Sequence, residues 1–175
     1  MQNWKIINDD YLNYLRKFES RIPKTDYGNN KIKPFFGELM TIEDIVYVTQ
    51  VSSPKVRHQK LKQALDFYKL YNNNNFIAVV NLNFMFPVPK SEIKDLNYKN
   101  IDNYVNFSSK THKNNYIALL KTELKLINQF DLHSAAQKLY DLKSSDPHNK
   151  ISQRCLDFKF LESYALSYQK ELQTV

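Results

Sequence analysis

Only two of the 175 residues are glycine, Gly28 and Gly37, and they stand nine positions apart. A phosphate-cradling P-loop or a dinucleotide fingerprint needs two or three glycines within about eight residues, because the backbone must turn tightly where no Cβ fits. Neither pattern is present, so the nucleotide-cofactor folds built on those loops are excluded. The single cysteine, Cys155, excludes a disulfide framework and every Cys-cluster zinc module. It lies on an apolar stretch and reads as a core residue. Hydrophobic residues make up 42% of the chain and aromatics 14%, enough for a sizeable core rather than a disordered tail. The length predicts one domain, residues 1–175.

Hydrophobic periodicity changes along the chain. Residues 4–7 (WKII) predict a strand, and Asn8 or Asp9 then caps a helix carrying Tyr11, Leu15 and Phe18 until Pro23 stops it. Residues 23–34 show no period and read as a loop. Strands are predicted over 35–40, 45–51, 65–71 and 76–84, with the Asn72–Asn75 tract as a hairpin turn, since asparagine tolerates positive φ. Pro87 and Pro89 are expected to end this half. Apolar residues then recur at helical spacing over 113–129, 131–143 and 152–172. The expected fold is α+β, a mostly antiparallel sheet with helices laid against it.

The chain carries 25 Lys+Arg against 18 Asp+Glu, a net charge of +7, which favours polyanionic partners. The excess is concentrated in Val51-Ser52-Ser53-Pro54-Lys55-Val56-Arg57-His58-Gln59-Lys60-Leu61-Lys62, where a strand ends in two hydroxyls and four basic residues and a histidine follow without an acid. Hydroxyls and lysines at a strand end are phosphate-binding chemistry. A strand, a Ser-Pro turn and a solvated basic helix would give the same composition with no function attached. A second concentration, Tyr27 to Gly37, sets Lys31 and Lys33 beside aromatic rings, the combination that holds single-stranded nucleic acid, although a plain surface loop would also have it. The histidines, His58, His112, His133 and His148, have no metal-ligand spacing, so no metal or cofactor is expected. The opening MQNWKIINDD is unlike a signal peptide and no apolar run reaches membrane-spanning length, so a soluble, cytoplasmic protein without membrane contact is expected.

Several short motifs, taken in order, carry a resemblance. They are Tyr11-x-x-Tyr14-Leu15-x-x-Phe18, Ile22-Pro23, Lys33-x-Phe35-x-Gly37, Val51-Ser52-Ser53-Pro54-Lys55-x-x-His58, Asn81-Leu82-Asn83-x-Met85-x-Pro87-Val88-Pro89 and Cys155-x-Asp157-Phe158-Lys159-x-Leu161-Glu162. Each is modest alone, but together they span nearly the whole chain, and they resemble the ToxN/AbiQ family of endoribonuclease toxins from type III toxin–antitoxin and abortive-infection systems. The resemblance implies a compact, strongly twisted antiparallel sheet with surrounding helices, similar to the MazF/Kid toxins. It implies metal-independent cleavage of mRNA, and of the toxin's own repeated antitoxin RNA, to 2′,3′-cyclic phosphate and 5′-hydroxyl ends. It also implies inhibition by a small antitoxin RNA that folds as pseudoknots and closes a ring with the toxin.

Such cleavage uses the RNA's own 2′-hydroxyl as nucleophile, so the protein must deprotonate it, align it, stabilise the transition state and protonate the leaving 5′-oxygen. Ser53 and Lys55 are expected to bind the non-bridging oxygens, with Lys33 as the second charge and Ser52 as a secondary hydroxyl. For the base, His58, a lysine or a desolvated 2′-hydroxyl all remain open. Tyr11, Tyr27, Phe35 and Tyr116 are candidates for stacking on bases, and Lys31, Arg57, Lys60 and Lys62 for tracking phosphates. Two other readings use the same residues: a non-catalytic RNA-binding protein with this basic-aromatic surface, and a gyrase-poisoning toxin on the same sheet.

Overall fold

The computed structural model describes residues 2–24 and 34–173, with the side chains of 171–173 outside the description. Among the described residues seven strands form one sheet: β1 (Asn3–Ile7), β2 (Phe35–Ile42), β3 (Ile45–Ser52), β4 (Phe67–Asn72), β5 (Asn75–Asn81), β6 (Phe86–Pro89) and β7 (Ile93–Asp95). Their order is β4-β5-β3-β2-β1-β7, and β6 is a further partner of β3. Every pairing is antiparallel. The α-helices are α1 (Asp9–Arg16), α2 (Val56–Lys60), α3 (Lys110–Ile127), α4 (Leu132–Ser145) and α5 (Phe158–Gln173). This is the α+β architecture that the periodicity predicts.

Strand β3 organises the sheet. One edge pairs with β2, and the other is shared end to end: β6 takes Ile45 to Val48, and β5 takes Val51 and Ser52. A strand flanked on both sides must be nearly all apolar at its centre, and Ile45 to Val48 are buried side by side. The two prolines expected to end the strand-rich half lie within β6, with Pro87 opposite Tyr47 and Pro89 opposite Ile45. The Pro87 carbonyl accepts from the Tyr11 hydroxyl at 2.6 Å, so the polar atoms of that residue point away from β3 and its missing N–H costs no ladder bond.

Local chemistry accounts for most boundaries. Asn8 caps α1 by accepting from the Asp10 N–H, Ser109 caps α3 through the His112 N–H, and Asp131 caps α4 through the Ser134 N–H. The asparagine tract turns β4 into β5, with Asn73 at φ 53°. Helix α1 stops at Arg16, earlier than Pro23, and residues 152–154 form a separate 3₁₀ turn before α5 begins. One connected core runs from Trp4 and Leu15 through the sheet to Leu120, Leu139 and Leu161. Cys155 belongs to it at 3% exposure.

Tyr47 at the sheet centre has its hydroxyl on the Glu162 carboxylate, which also accepts from Tyr140. Burial and that carboxylate push the Tyr47 hydroxyl well above the usual tyrosine range. This polar contact anchors α4 and α5 to β3, so Glu162 has a structural part in the motif in which it occurs. No helix among the described residues is long and apolar enough to cross a membrane.

Candidate active site

The exposed end of β3 is where the basic segment emerges. Pro54 can neither donate to the ladder nor let Ser53 turn helical, so the strand ends at Ser52 and the chain leaves extended. Ser52 is half-buried opposite Val79, while Ser53 is exposed. Lys55 is the residue before α2, itself extended at φ −119° and ψ 157°. Lys55, Arg57, Lys60 and Lys62 are all exposed.

His58 faces inward at 4% exposure, which corrects its candidacy as a base reaching the RNA. Its Nδ1 accepts the Lys55 backbone N–H at 3.2 Å, and the His58 backbone N–H donates to the Lys55 carbonyl at 2.8 Å. Its ring meets Phe67 edge-on, and Nε2 faces the Arg57 guanidinium at 3.4 Å. Burial, then Arg57, Lys55 and Lys69, hold its pKa below the usual histidine value. With Nδ1 accepting from Lys55, a neutral ring carries its one proton on Nε2, and a second proton on Nδ1 would break the Lys55 contact. The histidine therefore positions the Ser-Pro-Lys turn as a neutral ring, and the Lys55 backbone N–H is spent on it.

Two of the stacking candidates are also corrected. Tyr11 is fully buried against Tyr168 with its hydroxyl on Pro87, and Phe35 is fully buried against Phe86. Both lie on apolar periods that serve the core, which outweighs any pull of an aromatic towards RNA. Tyr27, Lys31 and Lys33 lie outside the described residues.

Tyr116 behaves differently. It is half-buried on α3 and lines a cleft with Trp4, Pro34, Val51, Ser53, Leu119, Leu120 and Glu123. The cleft has a volume of about 440 Å³ including its open mouth. Sheet register explains the grouping: Trp4 lies opposite Phe36, Phe36 opposite Thr49, and Val51 and Ser53 follow Thr49 at steps of two, which keeps them on one face. Helix α3 crosses that face. Pro34, the residue after Lys33, lines the same cleft as Ser53.

Two residues here escaped the sequence reading. Glu123 is 8% exposed and burial pushes its carboxyl up to about 7. Its signal was readable: an acid seven positions after Tyr116 and three after Leu120, on the apolar stripe of α3. Lys69 lies on β4, and its Nζ donates to the Gln59 carbonyl at 3.0 Å, beside the basic helix. Only strand pairing brings it there. Asp66, the first acid after the basic run, is buried and held by Arg154 at 2.8 Å, so it is already neutralised by a cation of its own.

An exposed hydroxyl and ammonium at a strand end, in a field of cations and next to a half-open cleft, have the chemistry that binds a phosphodiester. The type III toxin–antitoxin toxin ToxN model matches residues 4–166. The chain belongs to the ToxN family. Endoribonuclease ToxN of Pectobacterium atrosepticum is 31% identical over 104 residues, 55% of this chain and 60% of that protein, so the match spans less than two thirds of that relative. Endoribonuclease AbiQ of Lactococcus lactis subsp. lactis is 25% identical over 173 residues, 94% of this chain and 88% of that protein. A solved structure of AbiQ, described as a lactococcal anti-phage endoribonuclease of a type III system, has a TM-score of 0.76 at 22% identity, covering 97% of this chain and 99% of its own. A structure concerned with selective toxin inhibition by a non-coding RNA pseudoknot gives 0.71 at 22% identity, covering 96% and 98%. The two structural likenesses extend over nearly the whole chain.

Proposed function

We propose that this chain is an endoribonuclease toxin, one domain over residues 1–175, that cuts RNA in the cytoplasm without a metal and is restrained by a small repeated antitoxin RNA in a closed toxin–RNA assembly. The observation that carries the reading is the exposed Ser53–Lys55 pair at the acid-free end of β3, in a family whose relatives are named endoribonucleases. The RNA's 2′-oxygen attacks the adjacent phosphorus and the bond to the 5′-oxygen breaks. The 2′-hydroxyl proton leaves to a base or to solvent, and the 5′-oxygen receives one. The products are a 2′,3′-cyclic phosphate and a 5′-hydroxyl.

Ser53 donates its hydroxyl to a non-bridging oxygen, and the Lys55 ammonium balances the charge that grows there in the transition state. Ser52, half-buried on the opposite face of the strand end, is the secondary hydroxyl. Lys33 supplies the second charge. His58 holds the turn that carries Lys55. Arg57, Lys60, Lys62 and Lys31 track the flanking phosphates, and Tyr116 and Tyr27 flank the bases.

Ser53→Ala and Lys55→Ala should each lower cleavage of single-stranded RNA in EDTA by on the order of 10²–10³ while leaving the thermal transition in place. Mapping of product ends should give cyclic phosphates with the wild-type chain. Wild-type rates in both variants would sink the assignment of the site. Intact RNA bound by the wild-type chain would make it an RNA-binding protein without cleavage.

A further inference from the structure

The cleft beside Ser53 contains a group that the cleavage chemistry above does not use. Ser53 and Leu119, the latter 42% exposed, form its rim, while Trp4, Leu120 and Glu123 form its floor at 1%, 3% and 8% exposure. Pro34, Val51 and the half-buried Tyr116 complete the walls. An apolar, aromatic lining with a few polar groups is the composition of a small-ligand site. A carboxyl on such a floor is costly to keep unless something uses it.

We infer that this cleft is a nucleobase subsite of the RNA-cutting centre, and that Glu123 reads the hydrogen-bonding edge of the base inserted beside the scissile phosphate. The inference rests on the reading of the chain as an RNA-cleaving protein. With phosphate and ribose at the rim against Ser53, the far edge of the base points to the floor. The Trp4 indole N–H is already spent on the Leu120 carbonyl at 2.9 Å, so this ring is a wall and not a donor. An ionised Glu123 offers two acceptors and suits the adjacent N1–H and amino group of guanine. The protonated acid offers one donor and one acceptor, and suits edges that alternate them.

Among the described residues the groups that line the cleft with Glu123 are uncharged, and Lys33, which the cleavage reading brings to this site, is the cation that would favour the ionised form. From its own helix the neighbour is Tyr116, whose hydroxyl burial pushes up to about 12 and which is therefore neutral. From β3 comes the Ser53 hydroxyl, and from β1 and the start of β2 come Trp4 and Pro34, none of them charged. Helix α3 also packs on β4 and β5, which contribute no described residue to the lining. Burial alone lifts Glu123 to about 7, so both forms are populated near neutral pH.

The test is cleavage of an RNA pool randomised around the cut, with ends sequenced at pH 6 and pH 8, for the wild-type chain, Glu123→Gln and Leu119→Trp. The wild-type chain should select bases at one position flanking the cut, with preference for guanine there rising about tenfold between the two pH values. Glu123→Gln, fixed as one donor and one acceptor, should lose that pH response and change selection at this position alone. Leu119→Trp alters an exposed rim residue and closes the mouth, so it should flatten selection at the same position without unfolding the chain. Wild-type selection in both variants would overturn the inference. So would a uniform loss of cleavage in Glu123→Gln with selection unchanged, which would make Glu123 a proton carrier or a structural group. Absence of cleavage by the wild-type chain would instead overturn the cleavage reading, and this inference with it.

Discussion

Residues of one chemical type have taken different roles here according to where burial places them. Tyr11 and Phe35 were attractive as stacking platforms, but each is fully buried and Tyr11 replaces a strand neighbour on the outer side of β6. Tyr116, on a similar apolar stripe, remains half-buried at a cleft. Glu123 makes the same point with a charge. Its folded pKa of about 7 lies above the ordinary value of 4.5, so between those pH values the folded chain holds a proton that the unfolded chain has lost. Stability therefore falls as pH rises through that window, by about 3 kcal/mol in all, and is flat above it. Glu123→Gln removes the effect. Its stability should exceed that of the wild-type chain at pH 8, and the advantage should vanish near pH 4, as followed by urea denaturation at both pH values. A wild-type curve that gained stability from pH 5 to pH 7 at the expense of the variant would contradict the burial of a protonated acid.

At the level of elements, β2 and β3 set the demands that the rest of the sheet meets. Gly37 lies opposite Val48, and a Cβ built on it would come within 2.7 Å of Val48 Cγ1 and 3.2 Å of the Tyr47 carbonyl. One of the chain's two glycines is thus required by close packing between neighbouring strands. Gly37→Ala should lower stability by about 1–3 kcal/mol, measured as a fall in the denaturation midpoint at unchanged slope, because the buried valine has nowhere to retreat. The turn after β3 is equally constrained: Pro54 ends the strand, and the His58 ring satisfies the Lys55 N–H that would otherwise have no helical partner. The basic helix is only five residues long and owes its place to these contacts more than to helix propensity.

For the whole molecule, electrostatics matter more by distribution than by total. The net charge of +7 includes the exposed cations Lys55, Arg57, Lys60 and Lys62 with Lys69 folded against their segment, and Asp66, the acid nearest in sequence, is occupied by Arg154. If Arg57, Lys60 and Lys62 each meet one phosphate, replacing all three by alanine should reduce the slope of log K against log salt by about 2 for single-stranded RNA. Filter binding between low and moderate salt measures it, and an unchanged slope would remove these residues from the RNA path. The fold around this surface is shared with AbiQ over 97% of the chain at 22% identity, so the sheet is preserved through large changes in sequence.

Much of this protein is legible from residue order alone, because those features depend on local chemistry. The period-2 and period-3.6 patterns, the cap at Asn8 or Asp9, the asparagine hairpin and the Ser-Ser-Pro-Lys turn each involve residues within one turn or one hairpin of each other. The exclusion of glycine-rich phosphate loops and cysteine clusters is of the same kind, as is the family motif order. The placement of prolines inside β6 was not legible, since it depends on the Tyr11 hydroxyl reaching the outer side of β6 from 76 positions away. Nor could the sequence distinguish buried Tyr11 from half-buried Tyr116, or bring Lys69 to Gln59 and Glu123 to Ser53's cleft. Those outcomes are decided by strand pairing and by the path of α3 across the sheet. Burial is a property of what the rest of the chain places above a residue, and only the packed molecule determines that.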